Sequence, residues 1–337
     1  MIYSTQKDVL DALRTASKGQ ERAEILAVKE NRLLVLNSGA GFTMYAGEVR
    51  HGNSIKDKLS GINVVVMKRL NAKAGTPDGL GTFGGLAERT NPFNFYHMTL
   101  EEKISLVGKK DDVIIKKGKV VLTKDMDIIR TNNALRETKE ELADLGITDI
   151  TIDSRKLEHI RLKNVKDDNY ITNIWDGNGF VYAINPYCHI LKTNEEFIDY
   201  LEYRSKTANL KENSEVRSVE KRSLFDVLPR FGKKDGKFTS EDGRDMLEDY
   251  RYPHEWLMTW VIAAKALDHN ETDMIKLATE VQQLSKHLID FNATALRMKV
   301  DLSSVADALG ISEKCLKKMQ TAMTSIYKNK FVQKNRY

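Results

Sequence analysis

Apolar residues along this chain switch repeatedly between helical and alternating spacing, and the switches predict a mixed order of helices and strands. Val9, Leu10 and Leu13 fall at helical intervals and predict a short amphipathic helix over 5–17. Apolar runs at 25–28 and 33–36, parted by Lys29, Glu30 and Asn31, predict a hairpin. Residues 62–67 are a dense β-branched run, the mark of a buried strand. Residues 75–85 are so rich in glycine that turns and close backbone approach to a ligand or ion are expected there, not a regular element. Residues 89–130 do not match their surroundings. They read as a loop, a short helix near 100–106 and a strand pair at 113–115 and 120–122 around Lys117 and Gly118.

A longer helix is predicted from about 125 to 145, stopped by Gly146 as the left-handed residue past its end. Strand spacing resumes at 147–152, 160–162, 170–174 and 180–184, with a turn over 175–179 joining the last two. A helix over 194–203 and a strand over 216–224 follow. A lysine- and glycine-rich loop over 230–237 then leads to a helical pair, and 270–337 is helical throughout. The apolar run 256–267, interrupted by Lys265, falls short of the roughly 20 residues that span a bilayer and reads as a buried helix. The pattern divides the chain into an N-terminal helix (1–20), a mixed α/β domain (21–268) with an insertion at about 89–130, and an all-α C-terminal domain (269–337).

Composition narrows the class without naming a function. With 337 residues, 30% charged and 41% hydrophobic, the chain is an ordinary globular one, not collagen-like, disordered or a disulfide scaffold. A formal charge of +5 suits an anionic small molecule and does not demand nucleic acid. Cys188 and Cys315 have no zinc spacing and form no framework, which points to a reducing compartment. Asp8 and Asp11 break the apolar pattern of the first residues, so no secretory signal is expected. A cytoplasmic protein with no membrane partner is the expectation.

The chemistry concentrates in one predicted helix. Glu137 lies three and four residues before Glu140 and Glu141, which is expected to bring three carboxylates to one face. The opposite face, with Ile128, Leu135 and Leu142 beside Thr131, Thr138 and Leu145, is expected to pack on a sheet. Like charges at that spacing repel by about 0.2–0.5 kcal/mol per exposed pair. A divalent cation reverses the sign, because Mg²⁺ and Mn²⁺ favour oxygen ligands. Arg136 precedes Glu140 by one turn and can fix a carboxylate through charge-assisted hydrogen bonds. A solvated glutamate-rich surface is the simpler account of this helix taken alone.

What lifts it is the upstream segment ending in Gly84, Gly85 and Glu88. Together, Gly84-Gly85-x-x-Glu88 and Arg136-Glu137-x-x-Glu140-Glu141, followed by Gly146 and Ile147, resemble the two ends of the Nudix hydrolase box. The likeness covers 21–268 in pattern but is specific only in these two segments. It implies a Nudix-like α/β/α sandwich with a mixed sheet, and metal-dependent cleavage of the diphosphate linkage of a nucleoside-diphosphate derivative. By that likeness Glu137, Glu140 and Glu141 bind Mg²⁺ or Mn²⁺, with a backbone carbonyl of Gly85. Arg136 and Glu140 belong to the catalytic set, while Phe83, Gly84 and Glu88 contact substrate. Three departures stand out. The spacer between the two ends is far longer than in the standard box. Ile128 takes the place of the middle glutamate, for which Asp125 or Asp127 would have to substitute. Four residues separate Glu141 from Gly146 where one is usual.

Such a reaction also needs a base or further ligand from a later loop. Glu215, just before a predicted strand, is the best placed, with Glu212, Glu241 and Glu248 as alternatives. The seven histidines have no ligand spacing, and His254-Glu255 lacks the second histidine of a zinc-protease helix. Phe83, Tyr45 and Trp175 offer rings for a base, with ordinary packing as the competing role. Residues 302–319 resemble a helix-turn-helix: Val305, Ala306 and Leu309 bury one helix, Gly310 turns, and Leu316 anchors the second. The nearby lysines 314, 317, 318, 328, 330 and 334 make this end basic. The expected partner is a small nucleotide-type substrate, with a homodimer as the candidate assembly. A ligand sensor fused to a DNA-binding module, and an inactive Nudix scaffold, are the alternatives.

Overall fold

The structure is a computed structural model and describes residues 24–29, 32–37, 40–69, 80–85, 113–116, 119–122, 126–148, 150–160, 162, 173–177, 180–184, 189–209, 216–230, 253–285, 287–298 and 300–334. The predicted helices at 5–17 and 100–106 lie outside them. The chain is mixed α/β and forms two compact units.

The first unit comprises Met1–Gly41, Gly84–Thr138 and Lys163–Tyr187. Its hairpin of β1 (Glu24–Lys29) and β2 (Arg32–Asn37) closes at Lys29 opposite Arg32. Later in the chain, β10 (Asn173–Gly177) and β11 (Phe180–Ile184) form a second antiparallel pair closed at Gly177 opposite Phe180. β11 runs parallel to β2, so the four strands make one mixed sheet in the order β1-β2-β11-β10. Within the predicted insertion, β7 (Val113–Lys116) and β8 (Lys119–Leu122) pair antiparallel, as the spacing around Lys117 and Gly118 predicts.

The second unit comprises Phe42–Phe83, Lys139–Leu162 and Cys188–Tyr337. Its sheet has the order β13-β4-β3-β12-β9, from β3 (Ala40–Gly47), β4 (Ile62–Arg69), β9 (Leu157–His159), β12 (His189–Lys192) and β13 (Val216–Ser223). β12 runs parallel to β3, and the other neighbours in this order are antiparallel. Ile62, Val64, Val65, Val66 and Met67 of β4 are all buried, so this strand is covered on both faces. The glycine-rich segment departs from expectation. Leu80–Gly81 (β5) pairs with β4, and Phe83–Gly85 (β6) is also a short strand. Glycine lowers strand propensity but does not prevent pairing along an existing strand.

The helices of this unit share a core with its sheet. α1 (Ile55–Leu59) buries Ile55 and Leu59, and α3 (Glu195–Thr207) starts at an Asn194 cap and buries Ile198 and Leu201. A short α4 (Leu224–Val227) follows β13. In α5 (Pro253–Ala266) every residue from Trp256 to Ala264 is essentially inaccessible, as expected for a helix that is apolar all round. α6 (Glu271–Leu284), α7 (Phe291–Met298), α8 (Leu302–Ala308) and α9 (Glu313–Lys334) complete the chain. Phe291 sits between Trp256 and Trp260, with ring centroids 5.6 and 5.1 Å away. The same core reaches Val64, Val66 and Ile190 of the sheet and Val305, Leu316 and Met323 of the last helices. Among the described residues no helix is long and apolar enough to cross a membrane.

Candidate functional site

The glutamate-bearing helix is α2 (Met126–Asp144), within two residues of its predicted limits. Its end is fixed as Gly146 predicts. Gly146 has φ +69°, its N–H donates to the Ala143 carbonyl at 2.9 Å, and the Ile147 N–H donates to Leu142 at 3.0 Å. This pair of bonds is the Schellman arrangement, and the accompanying apolar residues, Leu142 and Ile147, are both buried. Arg204 of α3 adds a further anchor by donating to the Gly146 carbonyl. No local sequence signal points to it, because the two residues lie 58 positions apart.

The carboxylates divide differently from the sequence expectation. Ala134, Thr138, Leu142 and Leu145 form the buried side, and the Thr138 hydroxyl donates to the Ala134 carbonyl at 2.7 Å. Glu137 and Glu141 lie on that same side, each only 5% exposed, whereas Glu140 faces solvent with Lys139 and Ala143. The reason is angular. At about 100° per residue, Glu137 and Glu141 are about 40° apart at one edge of the buried arc, while Glu140 projects about 60° further out. Three carboxylates on a face opposite the packing face is therefore corrected to two at its margin and one outside.

Burying two like charges on adjacent turns is costly unless each is compensated. Glu137 receives the half-buried Arg136 guanidinium, whose Nη2 donates to Oε1. Two carboxylates completed by water and substrate phosphate oxygens form a usual Mg²⁺ environment, and Glu137 and Glu141 are the candidates to supply them. Among the described residues no three His, Cys, Asp or Glu side chains converge as a metal-holding group, and Glu140 stands apart accordingly.

Of the other predicted residues, Gly84 and Gly85 are extended in β6. Phe83 is 1% exposed, a core side chain, so a base could stack on it only if its surroundings opened. Tyr45 is half-buried, and its hydroxyl is pushed above the ordinary value by burial and by Glu158 and Glu48. Glu88, Glu215, Glu212, Glu241, Glu248 and Asp125 lie outside the described residues, as do the side chains of Asp127, Ile128 and Trp175. Compared with known proteins, the chain matches no protein-family model and no curated protein.

Proposed function

We propose that the chain is a metal-dependent hydrolase that cleaves the diphosphate linkage of a nucleoside-diphosphate derivative. The observation that carries this is the desolvated Glu137–Glu141 pair on α2, backed by Arg136 and held by the Gly146 cap. Glu137 and Glu141 would hold Mg²⁺ or Mn²⁺, and the Nudix-like pattern adds the Gly85 carbonyl. When bound, the ion supplies charge neutralisation at the diphosphate and a lowered pKa for attacking water.

The chain's own groups do the rest. Arg136 keeps Glu137 Oε1 oriented, so the carboxylate is ready before substrate arrives. Glu140, which faces solvent beside the pair, and Glu215 are the two candidates to take the proton of the water that attacks phosphorus. The new phosphorus–oxygen bond forms as the bridging bond breaks, and the leaving phosphate departs with the electron pair. Gly84 and Glu88 are the expected substrate contacts from the upstream segment.

The test is hydrolysis of a panel (ADP-ribose, dinucleotides, nucleoside triphosphates, capped RNA) with Mg²⁺ or Mn²⁺. Glu137→Gln and Glu141→Gln should each lower turnover by about a hundredfold or more, the rate equivalent of about 3 kcal/mol. Failure of the unmodified protein to cleave any member would sink the enzyme assignment. An unaltered rate in both variants would sink the metal assignment.

A further inference from the structure

The C-terminal helix pair offers a surface that the proposed hydrolase does not use. α8 ends in a four-residue turn, 309–312, in which Gly310 takes φ +64°. Ser312 then caps α9, its hydroxyl accepting the Cys315 N–H at 3.1 Å, and the Ser312 N–H donates to Glu271 at 2.9 Å. Val305, Ala306, Leu309, Ile311, Leu316 and Met319 are buried between the two helices and the core beneath. Small Ala306 permits close approach, and the left-handed Gly310 makes the tight turn. The result is a rigid helix-turn-helix.

The outer face of α9 is the informative part. Lys314, Lys317, Lys318, Thr321, Ser325 and Lys328 are all exposed. They succeed one another at intervals of 3, 1, 3, 4 and 3, one continuous helical stripe, and the stripe contains no carboxylate. Nearby acidic groups are already engaged. Glu313 pairs with Lys317 at 2.6 Å, and the Ser312 hydroxyl and amide keep the Glu271 carboxyl below the ordinary range with help from Lys318 and Lys314. Lys330 does not belong to the stripe. Its ammonium donates to carbonyls of Gln282 and Gln283 at the end of α6, so it is structural.

From this geometry we infer that α9 is a recognition helix that enters the major groove of duplex DNA. A helix with its side chains is about 10–12 Å across and fits the B-form major groove, about 12 Å wide. The major groove of A-form RNA is too deep and narrow for the same entry. Lys314, Lys317, Lys318 and Lys328 meet phosphates, while Thr321 and Ser325 face base edges.

The experiment is fluorescence anisotropy of the full chain with a labelled mixed-sequence DNA duplex, at 50 and 200 mM salt. Four phosphate contacts predict about a 150-fold weaker affinity at the higher salt, from a slope of about −0.9 per contact. Lys317→Ala/Lys318→Ala should weaken binding about tenfold at 50 mM salt and flatten the slope by about 2, with unchanged helix content by circular dichroism. Lys56→Ala/Lys206→Ala removes equal charge from exposed sites on α1 and α3 and should leave binding unchanged. No binding to the duplex at 50 mM salt overturns the inference. So does equal loss in both double variants, or tighter binding to an RNA hairpin than to DNA.

Discussion

Two left-handed glycines separate the backbone cost of a side chain from its steric cost. At Gly146 (φ +69°) an added Cβ would find only the Arg204 guanidinium, at 3.4 Å. At Gly310 (φ +64°) it would lie 2.4 Å from Nδ1 of His269, a nitrogen in hydrogen-bond contact with the Leu309 carbonyl at 2.8 Å. Gly146→Ala should therefore cost about 1 kcal/mol, the left-handed penalty alone. Gly310→Ala should cost about 2 kcal/mol or more, because the imidazole must also move. Urea midpoints at constant m-value measure both, and equal losses would contradict the steric account. Gly146 was legible in the sequence because a stop residue after a periodic run is local information. The burial of Glu137 and Glu141 was not, since which arc of a helix faces the core depends on elements far away in sequence.

Between elements, ion pairs tie helices and strands across long stretches of chain. Lys58 of α1 pairs with Asp273 of α6 at 2.8 Å, and the Glu280 carboxylate of α6 accepts the Ile55 and Lys56 amides at 3.1 and 2.9 Å. The Lys58 hydrogen bond holds the Asp273 carboxyl below its ordinary value despite partial burial. A depressed carboxylate adds stability in full above its unfolded value, about 3.9, and loses it as pH falls through the lower folded value. Asp273→Asn should lower the melting temperature at pH 7, with a gap worth no more than about 1 kcal/mol. That gap should close below about pH 4. A gap constant from pH 7 to pH 3 would remove the ion pair as its cause. At the same scale, β1, β2, β4, β7, β8, β11 and β13 follow the apolar spacing closely. Residues 147–152 alternate like a strand but pair with nothing among the described residues, because alternation reports extended backbone and not a partner. β3 escaped notice because alanine and glycine at both ends leave only Phe42-Thr43-Met44-Tyr45 to carry a pattern, and the four-residue β12 is likewise too short to show a period.

For the whole molecule, the question is whether 269–337 can leave the rest intact, as a separate helical domain would. The core argues against it. Met274, Leu277, Val281 and Phe291 are each at or near zero exposure and lie in one cluster with Trp256, Trp260, Val64 and Val66. Burial of such side chains stabilises by about 1.5–3 kcal/mol each, so four of them approach the 5–15 kcal/mol that typically holds a domain together. Removing them also uncovers both tryptophans and strips α1 of the Glu280 carboxylate at its first amides. A chain ending at residue 268 should therefore aggregate or lose cooperative unfolding, with tryptophan emission shifted to the red of the full chain. A soluble 1–268 fragment with a sharp urea transition and unshifted emission would instead make the C-terminal helices an independent module. In that case the helix-turn-helix could be removed without disturbing the core that it shares with the sheet here.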